Sequence, residues 1–201
     1  MRLESEKNVS DAPLCVDMDG TLILQDLLMF GIFRLAIKRP QALFFLSFSL
    51  LKGRAKFKDD AAEKLSINPS GLTFNRALVE YLISQKKLGR RIILVTGNNA
   101  KIAQPVARYL GLFSEVIAST KEKNLVGRAK ANQLIDRFGL NRFDYIGNSY
   151  TDIPVWRAAR NALIVSENQT LIRKLKKLKS VERIFGWRPI EIHGFRGAPF
   201  W

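Results

Sequence analysis

The stretch Leu14-Cys15-Val16-Asp17-Met18-Asp19-Gly20-Thr21 decides the fold. A short apolar run bounded by a turn signal reads as a strand buried on both faces of a parallel sheet. In open parallel sheets ligands bind beyond the carboxyl ends of the strands, so both aspartates emerge where a site is expected. Two residues apart on an extended segment, the carboxylates point the same way. With a turn beginning at Gly20 they flank one reacting group. One carboxylate can attack phosphorus as a nucleophile, and the other can protonate a leaving oxygen and then activate water. Taken alone, the octet also fits a plainer reading, an acidic strand-to-loop turn in which Gly20 supplies only conformational freedom.

Working outward, the apolar runs Arg91–Val95, Phe143–Ile146 and Ala162–Val165 look like further buried strands, with Glu115–Ala118 a fifth. Helical periodicity lies between them, over Phe74–Lys87, Ala100–Leu110 and Lys130–Phe138. Strands alternating with helices argue for an α/β fold with a parallel sheet and right-handed crossovers. The segment Gln25–Ser70 breaks this alternation and reads as helices near Leu27–Ile37, Gln41–Leu51 and Lys58–Leu65, inserted over the strand ends. The expected organisation is a core over residues 12–24 and 71–184, a helical insertion over 25–70, and an irregular tail over 185–201. A basic helix, Leu171–Lys179, precedes the tail.

Composition narrows the classes. The chain has 201 residues, a formal charge of +15 and 47% hydrophobic residues, enough for one packed domain and not a disordered composition. A single cysteine, Cys15, makes no internal disulfide and sits in an apolar run as a small buried thiol. Residues 1–11 have no signal-peptide core. The longest uncharged stretch of the insertion, Pro40–Leu51, falls short of the roughly 20 residues a spanning helix needs. A cytoplasmic protein is expected, with peripheral contact at the inner face of a membrane as an option. The positive field attracts phosphorylated solutes, nucleic acids and anionic membranes alike.

Three more strand-end features bear on chemistry. Val95-Thr96-Gly97-Asn98 offers a hydroxyl and backbone amides to a phosphoryl oxygen, or is an ordinary cap before the Ala100 helix. Lys130 supplies an ammonium for phosphate charge, though one lysine among so many carries little weight alone. In Ile146-Gly147-Asn148-Ser149-Tyr150-Thr151-Asp152, Asp152 is the natural third carboxylate for an octahedral, oxygen-ligated Mg²⁺ with Asp17 and waters. It serves equally as a cap for the helix containing Trp156.

In this order and spacing, DMDGT, Thr96, Lys130 and the Gly147–Asp152 loop resemble the haloacid dehalogenase-like superfamily of phosphohydrolases, over about Pro13–Ser166. The resemblance implies a doubly wound fold with a small helical cap after the first motif. It implies Asp17 as nucleophile, Asp19 as acid and base, and Thr96, Gly97 and Lys130 on the phosphoryl group. Mg²⁺ is then held by Asp17, the Asp19 carbonyl and Asp152, with Asn148 and Thr21 behind them. Asp19 looks like the phosphatase branch rather than the dehalogenases. Asn148 departs from the commonest pattern, standing where many members carry a second aspartate, which removes one negative charge. DMDGTLILQDLL, LFSEV and YIGNSYTDIPVW look similar to the phosphatase-like domain found ahead of UbiA-type prenyltransferase domains.

The expectation is therefore a Mg²⁺-dependent phosphomonoester hydrolase working through an aspartyl-phosphate. Its substrate is a small phosphorylated compound, a sugar phosphate or a polyprenyl-linked phosphate. A membrane prenyltransferase is a candidate partner, and nucleic acid is not an expected one. The rival is a weakly catalytic or non-catalytic module that docks to anionic membrane or nucleic acid through its basic surface. His193 reads as a packing or surface residue. Phe30, Phe33, Phe44, Phe45 and Phe48 read as the core of the insertion, and Lys174, Lys176, Lys177 and Lys179 as a solvated helix face.

Overall fold

A computed structural model describes residues 11–38, 41, 51, 53–65 and 67–192. His193, Phe44, Phe45, Phe48 and the interior of the expected helix Gln41–Leu51 lie outside the described residues.

Six strands form one fully parallel sheet: β1 (Leu14–Val16), β3 (Ile92–Asn99), β4 (Glu115–Ser119), β5 (Asp144–Gly147), β6 (Ala162–Val165) and β7 (Val181–Phe185). Their spatial order is β4-β3-β1-β5-β6-β7. The first strand thus lies at the centre, with β3 on one side and β5 on the other. A crevice opens beyond its carboxyl end, where the connections diverge to opposite sides.

Alternation along the strands divides the interior in two. Leu14, Val16, Ile92, Leu94 and Ile146 face one layer, while Cys15, Ile93, Val95 and Tyr145 face the other. The first layer contains α3 (Arg76–Lys87), α4 (Ala100–Leu110) and the insertion helices α1 (Leu27–Lys38) and α2 (Arg54–Lys64). The second contains α5 (Arg128–Phe138), α6 (Ile153–Ala158) and α7 (Gln169–Leu178). Helices on both faces explain why the strands read as continuous apolar runs.

Several boundaries differ from expectation, each for a local reason. Residues Thr73–Asn75 form a short strand, β2, instead of opening α3. Phe74 pairs there with Ile190, and Asn75 caps the helix by accepting from the Leu78 amide. The second insertion helix starts at Arg54, four residues before the expected Lys58, and α5 starts at Arg128, two before Lys130. Asn168 accepts from the Thr170 and Leu171 amides and starts α7 at Gln169. Leu171, Ile172 and Leu175 are its buried stripe. Of its lysines, Lys174 lies over the Tyr150 ring.

The tail is not irregular throughout. Phe185 closes β7 at the sheet edge, and Pro189–Glu191 form β8, antiparallel to β2. The tail's pattern is hard to read because β8 is only three residues long and pairs only with a distant short strand. Phe33 does not pack the insertion; it is 65% exposed, while Phe30 is 37% exposed. Leu27, Leu28 and Leu35 are buried.

Candidate active site

Asp17 and Asp19 follow β1 directly, and the Asp17 amide donates to the Ile146 carbonyl of β5. The parallel register sets Val16 beside Leu94 and Ile146. Continued by two residues, it brings Thr96 of β3 and Asn148 after β5 level with Met18. The strand ends therefore converge on one place, as their order requires.

The turn after Asp19 needs a glycine. Gly20 has φ +69°, and a Cβ there would meet the Asn148 amide nitrogen at 2.1 Å. The Asn148 side chain thus lies against the turn that carries both aspartates. A second close approach occurs at Gly147, where a Cβ would meet Asp152 Oδ2 at 2.7 Å and Tyr145 Cε1 at 2.8 Å.

Lys130 is the hub. From the first turn of α5 its Nζ donates to Asp17 Oδ1 at 2.7 Å and to the Tyr145 hydroxyl at 3.0 Å. It also lies 3.6 Å from Asp152 Oδ1. Burial alone lowers the lysine's pKa, but the Asp17 and Asp152 carboxylates outweigh it and hold the group above its ordinary value, firmly protonated. Thr21 Oγ1 approaches Asp17 Oδ2 at 3.4 Å. Asp152 is fixed on both sides. Its Oδ1 accepts from the Tyr145 hydroxyl at 2.7 Å, and its Oδ2 accepts from the Asn148 and Ser149 amides and from Ser149 Oγ.

Asp19 belongs to a separate set of partners. Its Oδ1 accepts from the Leu27 amide at the start of α1 at 3.1 Å, and its Oδ2 from Asn98 Nδ2 at 2.6 Å. Burial pushes Asp19 up to about 7, against the Leu27 hydrogen bond. Burial likewise pushes Asp17 up to about 6 even beside Lys130. Thr96 is buried, and its Oγ1 accepts from the Asn98 amide at 3.0 Å. That contact ties the β3 end to the asparagine that holds Asp19.

A model of the haloacid dehalogenase-like hydrolase family matches residues 14–157. The chain belongs to that family. An uncharacterised protein of Sinorhizobium fredii, y4nM, is 32% identical over 165 residues, covering 82% of this chain and 32% of its own length. The chain thus spans about a third of the curated relative it matches. Among solved structures, a haloacid dehalogenase family hydrolase from Salmonella enterica serovar Typhi superposes with TM-score 0.59 and 14% identity, covering 90% of this chain and 70% of that one. A phospho-aspartyl intermediate analogue of phosphoserine phosphatase does so with TM-score 0.53 and 15% identity, over 88% and 93%. At such identities the structural likeness speaks for the fold. The similarity to prenyltransferase-linked domains is not among these findings.

Among the described residues no three His, Cys, Asp or Glu side chains form a metal cluster. The haloacid dehalogenase-like site nevertheless fits a hard cation. Asp17 and Asp152 share one ammonium, and burial holds Asp17 and Asp19 above the usual carboxylate range. The carboxylates of Asp17 and Asp152 are oxygen donors, the kind such a cation takes.

Every predicted side chain of the site lies on one of these three strand ends or on α5. Tyr145 and Asn98 were missed as contacts. Tyr145 lay inside an apolar run and Asn98 read as part of a capping turn, so neither carried a signal of its own.

Proposed function

We propose that the chain is a Mg²⁺-dependent phosphomonoester hydrolase with Asp17 as nucleophile and Asp19 as acid and base. The observation that carries this reading is the contrast between the two carboxylates. Asp17 pairs with the Lys130 ammonium at 2.7 Å, whereas Asp19 accepts from two neutral donors, the Leu27 amide and Asn98 Nδ2. A carboxylate beside an ammonium suits attack on phosphorus, and one held by neutral donors suits proton transfer. A carboxylate oxygen of Asp17 forms a bond to phosphorus as the ester P–O bond breaks, and Asp19 gives its proton to the departing oxygen. Water then attacks the aspartyl-phosphate, Asp19 takes its proton, and the P–O bond to Asp17 breaks to release inorganic phosphate. Lys130 and the amides after Thr96 are placed to offset charge on the phosphoryl oxygens. Bound Mg²⁺, held by Asp17, Asp152 and the Asp19 carbonyl, would reduce the repulsion between a carboxylate and a phosphate dianion. The structural neighbour described as a phospho-aspartyl intermediate analogue supports the same chemistry. Asp17→Asn tests it: turnover of an aryl phosphate should vanish while the melting curve stays cooperative. Residual turnover comparable to wild type would refute the nucleophile assignment.

The outer face of α1 favours a finer reading, an amphiphilic phosphate met at an anionic bilayer. The first amide of this helix, Leu27, donates to Asp19, and Met29, Phe33 and Ile37, four residues apart on one face, are 60%, 65% and 68% exposed. From Leu27 to Lys58 the chain has no acidic residue and seven basic ones, Arg34, Lys38, Arg39, Lys52, Arg54, Lys56 and Lys58. No helix among the described residues is long and apolar enough to cross a membrane. Such a segment fits surface attachment through apolar contact plus attraction to anionic lipid. The protein should float with phosphatidylcholine–phosphatidylglycerol vesicles at physiological salt, and the pair Phe33→Ser, Ile37→Ser should stay behind. Wild type remaining in the soluble fraction would refute the attachment and leave the hydrolase reading to its own assay.

A further inference from the structure

A buried polar group at the site that the proposed reaction does not use is the Tyr145 hydroxyl. Tyr145 lies on β5, fully buried, with its ring edge-on to Trp156 at 6.3 Å between centroids. The Trp156 indole in turn donates to the Leu163 carbonyl at 3.1 Å, so the aromatic pair is anchored to the sheet. Burial and the neighbouring carboxylates hold the phenol well above its ordinary pKa, which keeps it neutral and able to donate and accept at once. It does both, accepting from Lys130 Nζ at 3.0 Å and donating to Asp152 Oδ1 at 2.7 Å.

That placement has a consequence for Lys130. Its ammonium stands 2.7 Å from Asp17 and 3.6 Å from Asp152, and the phenol oxygen bonds to both members of the second pair. Two opposite charges so close in a dry site attract strongly, and the shared phenol sets the geometry of their ion pair. Asp152 cannot easily turn toward the ammonium while Tyr145 holds Oδ1 and three loop donors hold Oδ2. Asn148 adds no second carboxylate to the loop, so Asp152 is the acidic group whose position matters most there. Gly147 allows the arrangement, since a Cβ would strike both Asp152 and the Tyr145 ring.

We propose that Tyr145 is a positioning residue, whose hydroxyl holds Lys130 Nζ and Asp152 Oδ1 on one oxygen and so fixes the ammonium and the carboxylate in place beside Asp17. The assignment rests on the hydrolase reading for its kinetic part and on geometry alone for its metal part. It assigns a role to a residue that the family motifs in this chain do not contain.

Tyr145→Phe removes one oxygen and keeps the ring against Trp156. Without the phenol, Lys130 Nζ and Asp152 Oδ1 each lose a partner and shift relative to Asp17. Groups that support metal ligands from behind typically change metal affinity 10- to 100-fold. Mn²⁺ binding to the substrate-free protein, followed by electron paramagnetic resonance, should weaken at least about tenfold within that range. With an aryl phosphate at saturating metal, kcat should fall while KM stays within about twofold, the split expected when a group acts on the transition state and not on ground-state binding. A merely structural tyrosine would lower the melting temperature and leave Mn²⁺ affinity and kcat per folded molecule unchanged; that result overturns the proposal. If wild type hydrolyses no phosphomonoester, the hydrolase reading falls, and unchanged Mn²⁺ affinity in the variant still decides against Tyr145.

Discussion

Replacing Lys130 with methionine removes the site's central charge while keeping much of the side chain's apolar length. The ammonium sits 2.7 Å from Asp17, a gross attraction of about 6 kcal/mol at an effective dielectric of 20. Desolvation of both partners offsets much of that, but stranding one member of a buried pair typically costs about 3–5 kcal/mol. In this site the loss should depend on pH, because Asp17 can escape it by taking a proton. The folded-state pKa of Asp17 is already raised to about 6 with Lys130 present, so the folded chain binds more protons than the unfolded one. Stability due to this group therefore falls as pH rises from the unfolded value near 4, and in wild type the fall ends above about 6. Without Lys130 the folded pKa climbs further, and the fall continues past pH 6 at up to about 1.4 kcal/mol per pH unit. Urea unfolding at pH 5.5 and at pH 8 should give a small gap between wild type and variant at the lower pH and a gap of several kcal/mol at the higher. Adding Asp17→Asn to Lys130→Met should recover much of it. A gap below about 1 kcal/mol at pH 8, or one independent of pH, would refute the argument that Lys130 compensates buried carboxylates.

Gly147→Ala should shift Asp152 and the Tyr145 ring, since the new methyl would lie 2.7–2.8 Å from both. Overpacking of that kind costs about 1–3 kcal/mol, read as a lower urea midpoint, and the same displacement should raise the Mg²⁺ concentration needed for half-maximal turnover. The pH profile of kcat/KM should be bell-shaped. Activity falls on the acid side as Asp17 is protonated, near 6 and lower with metal bound, and on the basic side as Asp19 loses its proton, near 7. A flat profile from pH 5 to 9 would contradict the division of roles.

The centre of the fold was readable because its strands are buried on both faces, which makes Leu14–Val16 and Ala162–Val165 uninterrupted apolar runs. α4 was also readable, with its strong apolar stripe Ile102, Ala103, Val106, Ala107 and Leu110. The edges were not. β7 has three exposed residues of five, so Val181–Phe185 carries no run, and β2 is hidden because Phe74 and Asn75 also suit the start of a helix. The carboxylates and Lys130 were visible because residue type and strand-end position coincide. Asn98 and Tyr145 were not, because a hydrogen bond such as Asn98 to Asp19, 79 residues apart, leaves no trace in local pattern. Phe33 failed for another reason. Periodicity locates the helix but does not say which of two apolar faces is covered, and α1 is apolar nearly all round.

Asp19 joins these separate parts. One oxygen is held by the first amide of α1 and the other by Asn98, so its geometry depends on the insertion and on the β3 end together. Two donors favour the charged carboxylate, and burial favours the neutral acid; burial prevails and leaves the group at about 7. A residue poised there can give a proton in one half of the reaction and take one in the next without a large cost in either direction. The Leu27 contact also makes the poise sensitive to α1. Movement of that helix away from the core would break the hydrogen bond that favours ionisation and raise the acid's pKa, while admitting water would lower it. The helix whose outer face is bare and apolar is thus the one whose inner end touches the proposed proton donor.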